Sequence, residues 1–205
     1  MLAIAGGKGG VGKTTTALGL AAALPDRPLV VDADRDMPNL HALARVDRSD
    51  GARRAEAHRC HVLPIPEGDL PTTERRLEHV RANWSGDDAD AYTPVLVDTP
   101  SGAGVDAATP LRAVDGVVLV STACAPALRD TAKTASMARA VGTPVIGAVL
   151  TRTTVRPPNA GELLGCPLLG AVPEVAGRPL ENRRVRERYE AAASALVDAT
   201  KTLSP

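Results

Sequence analysis

Along this chain, short continuous apolar runs alternate with stretches in which apolar residues recur every three or four positions. The runs at 2–5, 28–31, 61–65, 95–97, 116–120, 145–150 and 168–172 read as strands. They lack the strict apolar–polar alternation of a sheet with one wet face. A parallel sheet covered on both sides is therefore expected. The stretches at 14–24, 40–44, 72–82, 105–113, 127–140 and 183–203 read as helices. This repetition predicts an α/β fold, a doubly wound, mostly parallel sheet flanked by helices in three αβα layers. Polar residues dominate 45–59, which reads as a surface excursion. The Asp- and Gly-rich stretch 83–94 and the Pro157-Pro158 pair read as loops. No internal repeat and no long linker interrupts the pattern, so 1–205 reads as a single domain.

The first strand runs into GGKGGVGKTTT at residues 6–16. Gly7 to Thr14 fits G-x-x-x-x-G-K-[ST], and it stands between a strand and a helix, as that loop must. Gly7, Gly9, Gly10 and Gly12 let backbone N–H groups turn inward, with Lys8, Val11 and Thr15 completing the loop. Those N–H groups and the helix N-terminus form a nest for polyphosphate. Lys13 is placed to reach the β- and γ-phosphates, and the Thr14 hydroxyl to ligate Mg²⁺. The expected fold is thus that of a P-loop NTPase.

Carboxylates stand at two strand ends. Asp32 and Asp34 are two apart, so on an extended chain both face one side. Open α/β sheets bind ligands at that edge, and an acidic pair there can hold Mg²⁺ waters and orient an attacking water. The run VLVD ends in Asp98, which is expected to face the Thr14 hydroxyl and bind Mg²⁺ through water. Thr14, Asp34 and Asp98 form the expected metal set.

An ordinary P-loop does not need Lys8. The octapeptide KGGVGKTT, Lys8 to Thr15, resembles the deviant Walker A sequence of the MinD/ParA family of ATPases. The resemblance implies ATP as the nucleotide. It also implies an ATP-dependent homodimer in which Lys8 crosses to the partner's nucleotide, joining Lys13, Asp34 and Asp98 in catalysis. Residues 30–40 are similar to the family's switch I, where the second acid of D-x-D, here Asp34, is tied to hydrolysis. Asp98-Thr99-Pro100 resembles the start of switch II, and Gly102 and Gly104 allow that segment to move when the γ-phosphate leaves. Residues 168–180 are similar to the family's adenine-side loop, with Pro173 and Glu174 in the matching places. Where the family often carries an Asn that reads the base, Thr151 and Arg152 stand here. No N-K-x-D guanine signature is present. The resemblance runs from Leu2 to about Leu180.

Composition narrows the partners. Lys and Arg total 24 and Asp and Glu total 24, so bulk charge steers the chain toward neither nucleic acid nor an acidic membrane. Phe is absent and the aromatics are Trp84, Tyr92 and Tyr189, too few for base-stacking platforms. Cys60, Cys124 and Cys166 are isolated, without CxxC spacing, and read as reduced thiols. His41, His58, His61 and His79 show no metal spacing. Met1 leads straight into the first strand with no leader pattern, and no long apolar stretch exists, which predicts a cytoplasmic chain. Arg178, Arg183, Arg184, Arg186 and Arg188 cluster near the C-terminus. A solvated helix face with pairs such as Arg183–Glu187 and Arg186–Glu190 is the favoured reading of that cluster, over a patch for nucleoid DNA. Three functions stay open. The first is a dimeric ATPase that positions a regulatory or cargo protein, in cell division, chromosome or plasmid partition, or other cargo placement. The second is a P-loop ligase or small-molecule kinase resembling dethiobiotin synthetase. The third is a non-hydrolysing nucleotide-bound interaction module.

Overall fold

Successive strand residues point to opposite faces of a sheet, and here both sets are apolar. The computed structural model describes residues 1–48, 51–55, 58–68, 71–84 and 93–201. Its strands are β1 (Leu2–Ala5), β2 (Leu29–Asp32), β3 (Arg53–Ala55), β4 (Cys60–Leu63), β5 (Val95–Asp98), β6 (Gly116–Thr122), β7 (Val145–Thr151) and β8 (Leu168–Val172). Its helices are α1 (Lys13–Ala23), α2 (Leu40–Ala44), α3 (Thr73–Asn83), α4 (Val105–Arg112), α5 (Ala125–Ala140), α6 (Ala160–Leu164) and α7 (Arg183–Lys201).

The strands form one sheet in the order β3-β4-β2-β5-β1-β6-β7-β8. Every neighbouring pair is parallel except β3 with β4. From β1 the chain turns first to one side, through β2, and later to the other, through β6. The crevice beyond the carboxyl end of β1 is thus the place where this architecture takes a ligand. Alternation sorts the core into two layers. Ile4, Val30, Leu96, Val118 and Val149 face α1, α2 and α7, where they meet Leu18, Leu40 and Tyr189. Ala3, Val31, Val97, Leu119 and Leu150 face α3 to α6, where they meet Leu77, Leu111, Leu128 and Leu164.

With few aromatics, the core closes by near contact of small residues. A Cβ on Gly19 in α1 would lie 2.4 Å from the ring of Tyr189 in α7, so glycine alone leaves room for it. Trp84, at the C-terminus of α3, meets the His61 ring edge-on, with centroids 5.1 Å apart.

The structure departs from the sequence reading in three places. The polar excursion at 45–59 contains β3, which pairs antiparallel with β4 through Arg53–Val62, Arg54–His61 and Ala55–Cys60. An edge strand needs only one paired side, so polar residues hide it from a hydrophobicity reading. The loop after Pro157-Pro158 contains α6, a single short helix ended by Gly165 in the left-handed region. Helix α5 starts at Ala125, two residues early, with Pro126 in its first turn where a missing N–H costs nothing. Of the expected 83–94 loop, 85–92 lie outside the described residues, as do the last residues, 202–205, including the end of the expected final helix.

On α7, Arg183 pairs with Glu187 at 2.7 Å in the open, as read. Arg186 donates to the Glu181 carbonyl at 3.4 Å, and Arg45 and Arg178 both pair with the Glu181 carboxylate. No described helix is long and apolar enough to cross a membrane.

Candidate functional site

The loop from β1 to α1 is shaped by close approach. A Cβ on Gly6 would lie 2.6 Å from the Val120 carbonyl oxygen, and one on Gly7 2.2 Å from the backbone of Asp130 in α5. Gly10 and Gly12 hold φ of 75° and 93°, in the region that favours glycine. Gly12 caps α1 without a side-chain hydrogen bond, and no acidic residue stands in the first turn. A helix start of this kind leaves N–H groups facing outward for an anion.

Lys13 is nearly buried, and its Nζ donates to the Ser101 Oγ at 2.5 Å. Burial pulls the Lys13 pKa below its ordinary value, against the opposing pull of the Asp98 and Asp34 carboxylates. Asp98, the last residue of β5, is buried, and burial pushes its pKa up to about 7. The Thr14 hydroxyl opposes that rise, while Asp98 Oδ1 has no partner. A buried oxygen left over beside a threonine hydroxyl suits a hard cation with oxygen ligands such as Mg²⁺. Among the described residues no cluster of three or more His, Cys, Asp or Glu could hold a metal alone.

Asp32 and Asp98 are register partners across β2 and β5. The expectation that Asp32 and Asp34 share one face rested on an extended chain. Strand β2 ends at Asp32, and the chain turns there. The Asp32 carboxylate accepts from the Asp34 amide (3.1 Å) and the Leu40 amide (3.3 Å), so it braces the turn. Burial raises its pKa to about 6. Asp34 is half-buried, accepts from the Met37 amide at 3.1 Å, and acts electrostatically on both Lys13 and Asp98.

Thr99 to Gly104 follow Asp98 and touch the loop. The Gly102 amide donates to the Gly6 carbonyl at 3.1 Å, and Gly102 holds a φ of 98°. Ser101, the partner of Lys13, was not singled out by the sequence, although it lies in the same short run as Asp98. Arg76, half-buried in α3 beside Asp32, was not singled out either.

The base-side candidates meet at a cleft of about 230 Å³ lined by Val11, Thr15, Thr151, Arg152, Pro173 and Glu174. One of these side chains also has a task within the protein. The Thr151 hydroxyl donates to the Val11 carbonyl at 2.6 Å, with the Ser121 carbonyl at 3.3 Å. Its single proton is thus used inside the protein, which leaves the hydroxyl an acceptor in the wall of the cleft. Lys8 is exposed, and its charge is felt at Cys124 and Asp130 at the start of α5. Cys60 and Cys166 are buried and Cys124 is exposed, so the thiols do not gather.

Comparison with known proteins agrees with this geometry. Residues 2–179 match the model of the CobQ/CobB/MinD/ParA nucleotide binding domain. An uncharacterised ATP-binding protein of Methanocaldococcus jannaschii is 31% identical over 168 residues, covering 74% of this chain and 64% of that one. The chain thus spans less than two thirds of that relative's length. The cell division ATPase MinD of Pyrococcus furiosus superposes with a TM-score of 0.76 at 25% identity, covering 99% and 98% of the two chains. The septum site-determining protein MinD of Pyrococcus horikoshii, complexed with Mg-ADP, superposes at 0.74 with 24% identity, covering 99% and 95%.

Proposed function

The chain belongs to the CobQ/CobB/MinD/ParA nucleotide-binding family, and from that premise we propose that it is a cytoplasmic ATPase of the MinD/ParA kind. It hydrolyses Mg·ATP and uses an ATP-dependent homodimer to position or regulate a partner protein. The observation that carries this reading is the convergence of Lys13, Thr14, Asp34 and Asp98 beyond β1, with a second lysine, Lys8, exposed outside that cluster.

In this reading the loop amides and the first turn of α1 hold the phosphates, and Lys13 exchanges the Ser101 hydroxyl for a phosphate oxygen. An ionised acceptor makes the stronger hydrogen bond, so the exchange is favourable. It frees Ser101, which couples phosphate occupancy to the Asp98–Gly104 segment. Thr14, with Asp98 and Asp34 through water, is the donor set for Mg²⁺, which when bound neutralises charge on the transferring phosphoryl group. Asp34, the less buried acid, orients the attacking water. Lys8 serves the partner's nucleotide across a two-fold axis, and each protomer gives one such lysine. The cleft beside Arg152, Pro173 and Glu174 takes the adenine. The neutral chain and the solvated α7 arginines favour a protein partner over nucleoid DNA.

Phosphate release, measured with and without DNA and with and without liposomes, tests the proposal. Slow turnover in Mg·ATP, with no large response to DNA, is expected. Absence of both ATP binding and turnover overturns it.

A further inference from the structure

One half-buried cation joins three elements behind the turn that carries Asp34. Arg76 lies in the first half of α3 (Thr73–Asn83). Its Nη1 donates to the Asp32 carbonyl at 2.6 Å. Its Nη2 donates to the Leu63 carbonyl at 3.0 Å and to the Pro64 carbonyl. The guanidinium therefore spans the carboxyl ends of β2 and β4, and its charge also faces the Asp32 carboxylate. Partial burial opposes a charge here, yet the guanidinium is well supplied with acceptors.

The Asp32 residue is held on both sides. Its carbonyl goes to Arg76, and its carboxylate goes to the amides of Asp34 and Leu40. Asp32 thus braces both ends of the turn from Ala33 to Asn39, beside the bonds of the Ala33 amide to the Asp98 carbonyl and of Arg35 to the Pro71 carbonyl, and Arg76 fixes Asp32 from α3. Asp34 is two residues from the point that Arg76 grips.

We propose that Arg76 is a positioning residue for hydrolysis, holding the Asp32 backbone so that Asp34 is presented to the reacting water. This rests on the reading of Asp34 given above. Arg76 touches neither nucleotide nor metal in it. A lysine cannot replace the fork, because a single ammonium does not span carbonyls at two strand ends as a planar guanidinium does.

The test compares Arg76→Gln, Arg76→Lys, Asp34→Ala and the Arg76→Gln/Asp34→Ala double variant, each by calorimetric titration with Mg·ATP and by phosphate release at saturating Mg·ATP. A fall in kcat of about tenfold or more for Arg76→Gln, with Kd for Mg·ATP changed less than about threefold, is expected. Arg76→Lys should lose a similar share of kcat and keep the fold if the glutamine variant does not. In the Asp34→Ala background the Arg76 substitution should cost almost nothing further, because the two act through one carboxylate. Wild-type kcat in both Arg76 variants, or a full additional loss in the double variant, overturns the proposal while leaving Asp34 in place. Wild-type turnover in Asp34→Ala overturns the underlying reading and this proposal with it.

Discussion

The Thr151 hydroxyl, at the end of β7, donates to the carbonyl of Val11 in the phosphate loop at 2.6 Å. Thr151 is buried, so the bond is made away from water. Replacing Thr151 with Val keeps the shape and removes the donor. The variant should lose about 1–2 kcal/mol of stability from the unpaired carbonyl. Mg·ATP affinity should also fall by roughly three- to tenfold as the loop loosens, about 0.7–1.4 kcal/mol. Thr151→Ser should keep both properties. Urea unfolding and calorimetric titration check this, and a Val variant that binds like wild type would remove the tether from the account.

Lys13→Ala and Thr14→Ala each delete a group aimed at phosphate or metal. Each should weaken Mg·ATP binding by about tenfold or more, on the order of 1.4 kcal/mol. Titration calorimetry reads this directly. Affinity equal to wild type in either variant contradicts the phosphate-loop assignment.

Lys8→Ala should leave the monomer folded and able to bind ATP, because Lys8 is exposed and outside the Lys13 cluster. Light scattering in Mg·ATP should show loss of the dimer, and turnover should fall with it. If the variant dimerises as well as wild type, Lys8 is an ordinary loop lysine.

Asp98 and Asp32 carry pKa values of about 7 and about 6, both raised by burial. A carboxyl whose pKa is higher in the folded chain keeps a proton that the unfolded chain has released. From about pH 4 to about pH 7 these two groups therefore make nucleotide-free protein less stable as pH rises, and the contribution is flat outside that window. Urea midpoints should fall between about pH 4 and about pH 7. Asp98→Asn should flatten the slope and raise the midpoint at the upper pH. A wild-type midpoint that rises across this range contradicts the buried, protonated state of Asp98.

Gly19→Ala would be a gain of up to about 1 kcal/mol in an exposed helix. Here the new Cβ meets the Tyr189 ring at 2.4 Å. A loss of roughly 1–3 kcal/mol is expected, partly restored by adding Tyr189→Leu. Chemical denaturation of the single and double variants decides it, and a stabilised Gly19→Ala would mean that α7 shifts without cost.

What the sequence made legible follows from its physics. Parallel strands buried on both faces announce themselves as continuous apolar runs, and the runs at 2–5, 95–97 and 168–172 were readable for that reason. The phosphate loop was readable because its glycines and Lys13 have fixed spacing. Arg53–Ala55 was not, because a polar edge strand looks like a loop. Asp32 was read as a second acid of the site, because spacing alone cannot tell where a strand stops. Thr151 and Arg76 act through backbone carbonyls distant in sequence, and nothing in a linear pattern marks a bond of that kind.

The pairing of Trp84 with His61 has an optical consequence. Trp84 is the sole tryptophan of the chain, and it stands at the far end of the helix whose first half holds Arg76. Red-edge excitation of the protein therefore reports one indole, with one imidazole against it, 5.1 Å away between centroids. A displacement at that helix end would change the contact between the two rings. Trp84 emission in unlabelled protein thus reports on the C-terminal end of α3, and rapid mixing with Mg·ATP would read whether that end moves.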